Sequence, residues 1–402
     1  MELLVVLTLV IGFFMAWGIG ANDTANSMST AVGAKAITPL QAVFIAAILE
    51  FTGSYFFGKH VTETVRKGII NPMVINNVDV VIYGSLSALL AAGVWLLIAS
   101  YYGLPVSTTH SIIGGIVGYG LLYAGPKIVN WTKLTYVVLS WIISPILGGL
   151  VGFAVFWLIR LSILNTRKPY ENAKKWAPIW IGLAFFIVGM TFYIKTVHGK
   201  DLVKAALVGL SFALVAFLAS KIWVYFRRDT ADEYQAVENI FKSVQVITSC
   251  YVALAHGAND VANAIGPVAA VYSAIKGGLQ GFMVPVPKWI LAYGGIGIAI
   301  GVTTYGYRVM KTVGTRITEL TNTRGFSIDF SAATVVLVAS RMGLPISTTH
   351  TVVGAVVGVG LARGLSAINK GVLRDIVVSW FVTIPVAAVL AAVFFKIFMY
   401  IF

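Results

Sequence analysis

Two short segments place carboxylates where almost nothing else is charged. Residues 20–26 read GANDTAN and residues 257–263 read GANDVAN. In each, one aspartate (Asp23, Asp260) is flanked by two amides, Asn22 and Asn26 or Asn259 and Asn263. Carboxylate, amide and backbone carbonyl oxygens then fall within about one helical turn. Such an oxygen set suits a hard cation, and with no cysteine and one histidine nearby a transition metal is disfavoured. A plainer role would be capping of helices that begin near Ala25 and Ala262. Capping explains one copy well and two matched copies poorly.

A second pair of segments offers the opposite chemistry. Residues 103–110 read GLPVSTTH and residues 343–350 read GLPISTTH, each followed four residues on by a glycine, Gly114 or Gly354. The proline ends an extended entry, and three hydroxyls then stand before an apolar helix over 112–123 or 352–362. Helix N-termini present free N–H groups and partial positive charge, so they hold anions without Lys or Arg. Ser107, Thr108, Thr109 and Ser347, Thr348, Thr349 are therefore candidates for binding a tetrahedral oxyanion. Capping, with hydroxyls bonded back to helix carbonyls, is the alternative. His110 and His350 are placed to donate to the anion or relay protons, or to orient the hydroxyls as neutral rings.

Glu50, in AAILEFTG, is a third acid within an apolar run and a candidate cation ligand or proton carrier. Pairing with Thr52 or Ser54 is its structural alternative. Aligning Gly53 with Gly301 and Gly58 with Gly306 puts Ile298 opposite Glu50, so this acid has no counterpart.

The paired motifs recur at offsets of 237 and 240 residues, and Trp141/Trp380 and Pro145/Pro385 extend the match at 239 and 240. The chain is an internal duplication. The elements that must position these motifs are apolar. Of the 402 residues 58% are hydrophobic and 11% charged, against roughly 25% charged in soluble proteins. Apolar runs fall near 3–19, 38–57, 81–102, 106–124, 134–160, 176–195, 203–226, 241–256, 288–307, 328–341, 345–363 and 372–400. These predict an all-α polytopic membrane protein of about twelve transmembrane helices. The runs at 241–256 and 328–341 are short for crossing alone, and point to broken helices or helical hairpins around a cavity.

Seven predicted spans separate equivalent points, so the second half enters the membrane upside down, the inverted-repeat plan of secondary transporters. The expected organisation is a first repeat over 1–160, an inserted helix pair with its connector over 161–240, and an inverted second repeat over 241–402. The polar stretch 227–242 (RRDTADEYQAVENIFK) reads as an amphipathic connector. The net charge of +14 is explained by basic loops between spans, not by nucleic acid. Alternate loops carry 17 and 11 basic residues, so the positive-inside rule places both termini outside. The first apolar run lacks a basic n-region and reads as a span, not a cleaved signal. Cys250 is the single cysteine, which excludes an internal disulfide. No Walker P-loop, HExxH or G-x-S-x-G is present, so the chain is expected to be neither an ATP-driven pump nor an enzyme, and to need no cofactor.

With GANDxAN and GLPxSTTH both present twice, the sequence resembles the inorganic phosphate transporter (PiT) family over essentially its whole length. The resemblance implies symport of inorganic phosphate with Na⁺ or H⁺ by alternating access, in the plasma (inner) membrane and as a homodimer. It further implies that Asn22, Asp23, Asn259 and Asp260 form paired cores near the midplane, with the two STT clusters completing the pocket and phosphate held by Asn22, Asn259 and those hydroxyls. Na⁺ is the expected coupling ion, at Asp23, Asn26, Asp260, Asn263 and Glu50, because carboxylates beside a phosphate need intervening positive charge and the motifs contain no Lys or Arg. Proton-coupled phosphate, metal-phosphate or sulfate symport is the alternative. A passive channel with an aspartate filter leaves the hydroxyl clusters unexplained, and a non-transporting receptor lacks a soluble signalling domain.

Overall fold

The computed structural model describes residues 2–67, 69–70, 75, 77–102, 104–196, 201–227, 232–277, 286–316, 319–364 and 369–402. Gly103 of the first GLPxSTTH segment and residues 228–231 of the connector lie outside the described residues. Backbone in hydrocarbon must satisfy its own hydrogen bonds, and every apolar run accordingly becomes a helix or part of one. The helices are α1 (Glu2–Gly33), α2 (Pro39–Phe57), α3 (Lys59–Lys67), α4 (Val78–Tyr101), α5 (Thr108–Ala124), α6 (Trp131–Ile159), α7 (Pro169–Thr196), α8 (Leu202–Phe226), α9 (Glu233–Gly277), α10 (Lys288–Arg316), α11 (Asn322–Arg341), α12 (Thr348–Arg363) and α13 (Lys370–Ile401). Among the described residues, the α-helix that lies beyond the predicted runs is α3, whose sequence KHVTETVRK is too polar and short to span. Among the described residues, eight helices are long and apolar enough to cross a membrane.

The breaks fall at one motif and not at the other. GANDTAN and GANDVAN sit inside the continuous helices α1 and α9, of 32 and 45 residues, so Asn22, Asp23, Asn259 and Asp260 do not cap helices starting near Ala25 or Ala262. The short run 241–256 is likewise an internal stretch of α9, and 328–341 is most of α11. The chain turns at GLPxSTTH instead, which makes α4–α5 and α11–α12 helical hairpins. Their second arms have 17 and 16 residues, about 25 Å of helix, less than the roughly 30 Å of a hydrocarbon core. Both arms therefore start well inside the bundle.

Packing between the halves is reciprocal. A Cβ on Gly20 of α1 would lie 2.0 Å from the Ile298 carbonyl oxygen of α10, and one on Gly301 of α10 would lie 2.0 Å from that of Trp17 in α1. The equivalent helices repeat the contact: a Cβ on Gly257 of α9 would lie 2.1 Å from the Glu50 carbonyl oxygen, and one on Gly53 of α2 would lie 2.2 Å from that of Leu254. Only glycine permits this backbone approach. The two motif helices run antiparallel, since Gly12 of α1 packs on Val268 of α9 while Thr30 of α1 and Ser249 of α9 share one partner, Asp329. In the same way α13 packs on α5 and α6 on α12.

The helices α7 and α8, expected as an insertion, pack as a hairpin attached to this arrangement through α7, which buries Ala177, Trp180, Ile181 and Ala184 against Val237, Phe241 and Val244 of α9. Along α8, Leu207, Leu210, Leu214, Leu218 and Ile222 are exposed at helical spacing, the face such a helix turns to lipid.

Candidate functional site

The site begins where the hairpins turn. Ser107 and Ser347 have extended backbones, and each side-chain oxygen accepts the N–H of the residue three further on, His110 or His350, at 3.2 Å. Both serines are thus N-caps. With the caps supplied, the threonine hydroxyls are directed away from the helix starts, those of Thr109 and Thr349 across to the other half. Thr109 Oγ1 lies 3.4 Å from Asp260 Oδ1 and donates to the Ile346 carbonyl at 3.0 Å, and Thr349 Oγ1 lies 3.3 Å from Asp23 Oδ1 and 3.4 Å from the Val106 carbonyl. Thr348 donates to Asp260 Oδ2 at 2.9 Å. Back-bonding within the helix, the alternative for these hydroxyls, is seen instead at Ser111 and Thr351.

The amides of the motif helices complete the link. Asn26 donates to Asp23 and to Thr349, at 3.0 and 2.8 Å. Asn263 donates to Asp260 at 3.0 Å and to Thr108 and Thr109 at 3.1 Å. Asn22 and Asn259 hold the hairpin bends: Asn22 donates to Ser100 Oγ at 2.8 Å, and Asn259 to the Ile346 carbonyl at 2.8 Å. The structure therefore brings Asn22, Asp23, Asn26, Thr108, Thr109, Asn259, Asp260, Asn263, Thr348 and Thr349 into one buried cluster, none more than 4% exposed.

Glu50 joins it from α2. Its Oε1 accepts from Ser27 of α1 at 3.0 Å, and its Oε2 lies 3.2 Å from His256 Nδ1. Thr52 and Ser54, the local partners considered for it, bond to backbone carbonyls instead. His256 was not singled out by the sequence reading, yet it is the hub of the carboxylates: its Nε2 lies 3.0 Å from Asp260 Oδ2 and 3.7 Å from Asp23 Oδ2. The signal was present, because His256 and Asp260 are four residues apart and share a helix face. Asp329 was also missed, hidden in an apolar run. It accepts from Thr30 at 2.6 Å and Ser249 at 2.5 Å, tying α1, α9 and α11 together.

His110 and His350 occupy a different setting. Their rings pack on each other at 4.4 Å between centroids, with Trp141 at 3.9 Å from His110 and Trp380 at 3.6 Å from His350. This four-ring column joins the two halves beside the cluster.

Two features define what the cluster can bind. The N-termini of α5 and α12 converge, each carrying roughly half a positive charge, and present four threonine hydroxyls to an oxyanion. Opposite them stand three carboxylates: among the described residues the buried oxygens Asn22 Oδ1 and Asn263 Oδ1 accept no hydrogen bond, and Asp23 Oδ2 and Glu50 Oε2 face only the His256 ring. Unsatisfied acceptors in a buried place are costly, and cations satisfy acceptors. Asp23, His256 and Asp260 each offer a ligand atom within 4.8 Å of the others.

Comparison with known proteins places the chain in a family. A family profile described as the phosphate transporter family matches residues 19–391. A protein of Pyrococcus abyssi that carries the provisional name phosphate permease is 65% identical over 97% of this chain and 97% of its own. A chloroplastic inorganic phosphate transporter of Arabidopsis thaliana is 45% identical over 99% of this chain and 72% of its own. A solved structure entitled the sodium-dependent phosphate transporter superposes with a TM-score of 0.95 at 49% identity, over 99% of this chain and 100% of that one. By fold, motif and sequence, this multi-pass membrane protein belongs to the phosphate transporter family.

Proposed function

We propose that this protein is a secondary symporter that carries inorganic phosphate with Na⁺ by alternating access. The observation that carries the reading is the convergence of the α5 and α12 N-termini on Asp23 and Asp260. Phosphate takes the threonine hydroxyls (Thr108, Thr109, Thr348, Thr349) and the helix N-termini, with Ser107 and Ser347 fixing the helix starts and Asn22 and Asn259 the bends. Na⁺ takes oxygens of Asp23, Asn26, Asp260, Asn263 and Glu50. Its charge separates the phosphate from the carboxylates, a need sharpened by the absence of Lys and Arg from both motifs. The family match and a structural relative described as sodium-dependent support the reading.

The antiparallel motif helices and the reciprocal glycine contacts support an inverted repeat, over 1–160 and 241–402 with 161–240 inserted. An element that can pack in two symmetry-related ways is what alternating access requires. We place both termini outside the plasma membrane from the loop charges, and take the working unit as a homodimer, as the resemblance implies.

Proton coupling is the second reading, favoured by His256 amid three carboxylates. The test is ³²P-phosphate uptake into proteoliposomes under an inward Na⁺ gradient, an inward H⁺ gradient, or neither. Accumulation driven by Na⁺ alone supports the proposal. Accumulation driven only by H⁺ transfers the coupling to His256 and Glu50, and flux without uphill accumulation makes the protein a passive pore.

A further inference from the structure

Arg66 of α3 is the only buried lysine or arginine among the described residues, with its side chain 1% exposed. Its Nη2 donates to Glu63 Oε2 at 2.7 Å and its Nη1 to Ser273 Oγ of α9 at 2.9 Å, while Glu63 Oε1 accepts the Val286 N–H at 3.2 Å. A buried ion pair gains little stability over apolar residues of the same volume. Packing alone is therefore a weak reason for a guanidinium here.

Its position supplies a better one. Arg66 walls a cavity of about 30 Å³, together with Pro267 and Ala270 of α9 and Ile116 of α5. Pro267 and Ala270 lie one and two turns beyond Asn263 on the same face, and Ile116 lies two turns beyond Thr109. The cavity thus lies about 10 Å along α5 and α9 from Thr109 and Asn263, on the side where α3 packs on α9. A space of this size holds water and not a phosphate, so this stretch is closed. A planar guanidinium fork fits a phosphate as well as it fits a carboxylate.

We propose that Arg66 is a second, transient oxyanion site on the path between the central cluster and the α3 end, occupied by Glu63 while that end is closed and by phosphate when it opens. The proposal rests on the reading of this chain as a phosphate transporter, and is independent of which cation is coupled. Passing phosphate takes the guanidinium from Glu63, which turns toward solvent, where it is already 22% exposed.

The experiment compares the purified full-length protein with its Arg66→Gln, Arg66→Lys and Glu63→Gln variants, measuring ³²P-phosphate binding in detergent, uptake into proteoliposomes and melting temperature. Arg66→Gln is expected to bind phosphate at the centre like the parent but to lose uptake about tenfold or more, the worth of one charge-assisted contact. Arg66→Lys should recover part of that loss, and Glu63→Gln should lower the half-saturating phosphate concentration by freeing the guanidinium. Parental uptake by Arg66→Gln would overturn the proposal. So would parallel losses of uptake and melting temperature in Arg66→Gln and Glu63→Gln, which would make the pair a clamp only. If Arg66→Gln does not fold, Glu63→Gln decides: an unchanged or higher half-saturating concentration overturns the proposal. A parent that neither binds nor takes up phosphate would instead sink the transport reading itself.

Discussion

Thr349 Oγ1, at the start of α12, lies 3.3 Å from Asp23 Oδ1 in the middle of α1, and the two are 326 residues apart in sequence. The same contact is made by their counterparts, Thr109 and Asp260, at 3.4 Å. Each half therefore supplies the helix N-terminus that faces the other half's carboxylate.

Replacing Asp23 or Asp260 by Asn keeps an acceptor for the threonine hydroxyls and removes the charge a cation needs. A charge-assisted contact is worth about 1.5–3 kcal/mol, so each variant should need roughly tenfold or more Na⁺ and lose coupled uptake at the parent's Na⁺ level. Size-exclusion profiles should stay parental. Full Na⁺-driven uptake by both variants would remove the aspartates from the cation site.

Thr109→Val and Thr349→Val change one hydroxyl to a methyl at nearly constant volume. If these hydroxyls bind phosphate, the half-saturating phosphate concentration rises by about tenfold in each, the worth of one hydrogen bond in a buried site. The two effects should be similar because the contacts are reciprocal. Ser107→Ala is the contrast: loss of a cap costs about 1 kcal/mol of stability, so its melting temperature should fall while its phosphate dependence changes less.

The duplication, the helical class and the turns at GLPxSTTH were legible because glycine, proline and hydroxyls punctuate an otherwise apolar chain. The continuity of α1 and α9 through GANDxAN was not. Asn and Asp ordinarily favour helix ends by bonding to nearby backbone, but Asn26 and Asn263 spend their amides on threonines of the opposite half, a partnership invisible in local sequence. Asp329 escaped notice for the same reason, its partners Thr30 and Ser249 lying 299 and 80 residues away. His256 could have been found from its spacing to Asp260. Its contact with Glu50 could not, since that depends on α2 packing against α9 through Gly53 and Gly257.

That packing gives a stability prediction. In Gly257→Ala the new methyl would sit 2.1 Å from the Glu50 carbonyl oxygen, a backbone atom with no freedom to yield. Overpacking costs about 1–3 kcal/mol where side chains can shift, and should reach or exceed that range here. The melting temperature should drop and uptake should fall with it, because displacing α2 carries Glu50 away from His256. A parental melting temperature would mean that the α2–α9 approach is looser than described.

His256 gives the last prediction, on pH. Its ring nitrogens lie 3.0 Å from Asp260 and 3.2 Å from Glu50, so a protonated ring neutralises the same carboxylates that Na⁺ must reach. Protons and Na⁺ then compete for one cluster of negative charge. Acidification should raise the Na⁺ concentration required for half-maximal phosphate uptake in the parent. In His256→Gln, which keeps a polar side chain of similar reach and cannot take up a proton in this range, that dependence should flatten. Measuring Na⁺ activation curves over the whole pH range in which the protein stays folded separates the two cases. An undiminished pH dependence in the variant would mean that the competing proton sits on a carboxylate, and the coupling chemistry would then belong to Asp23, Asp260 and Glu50 alone.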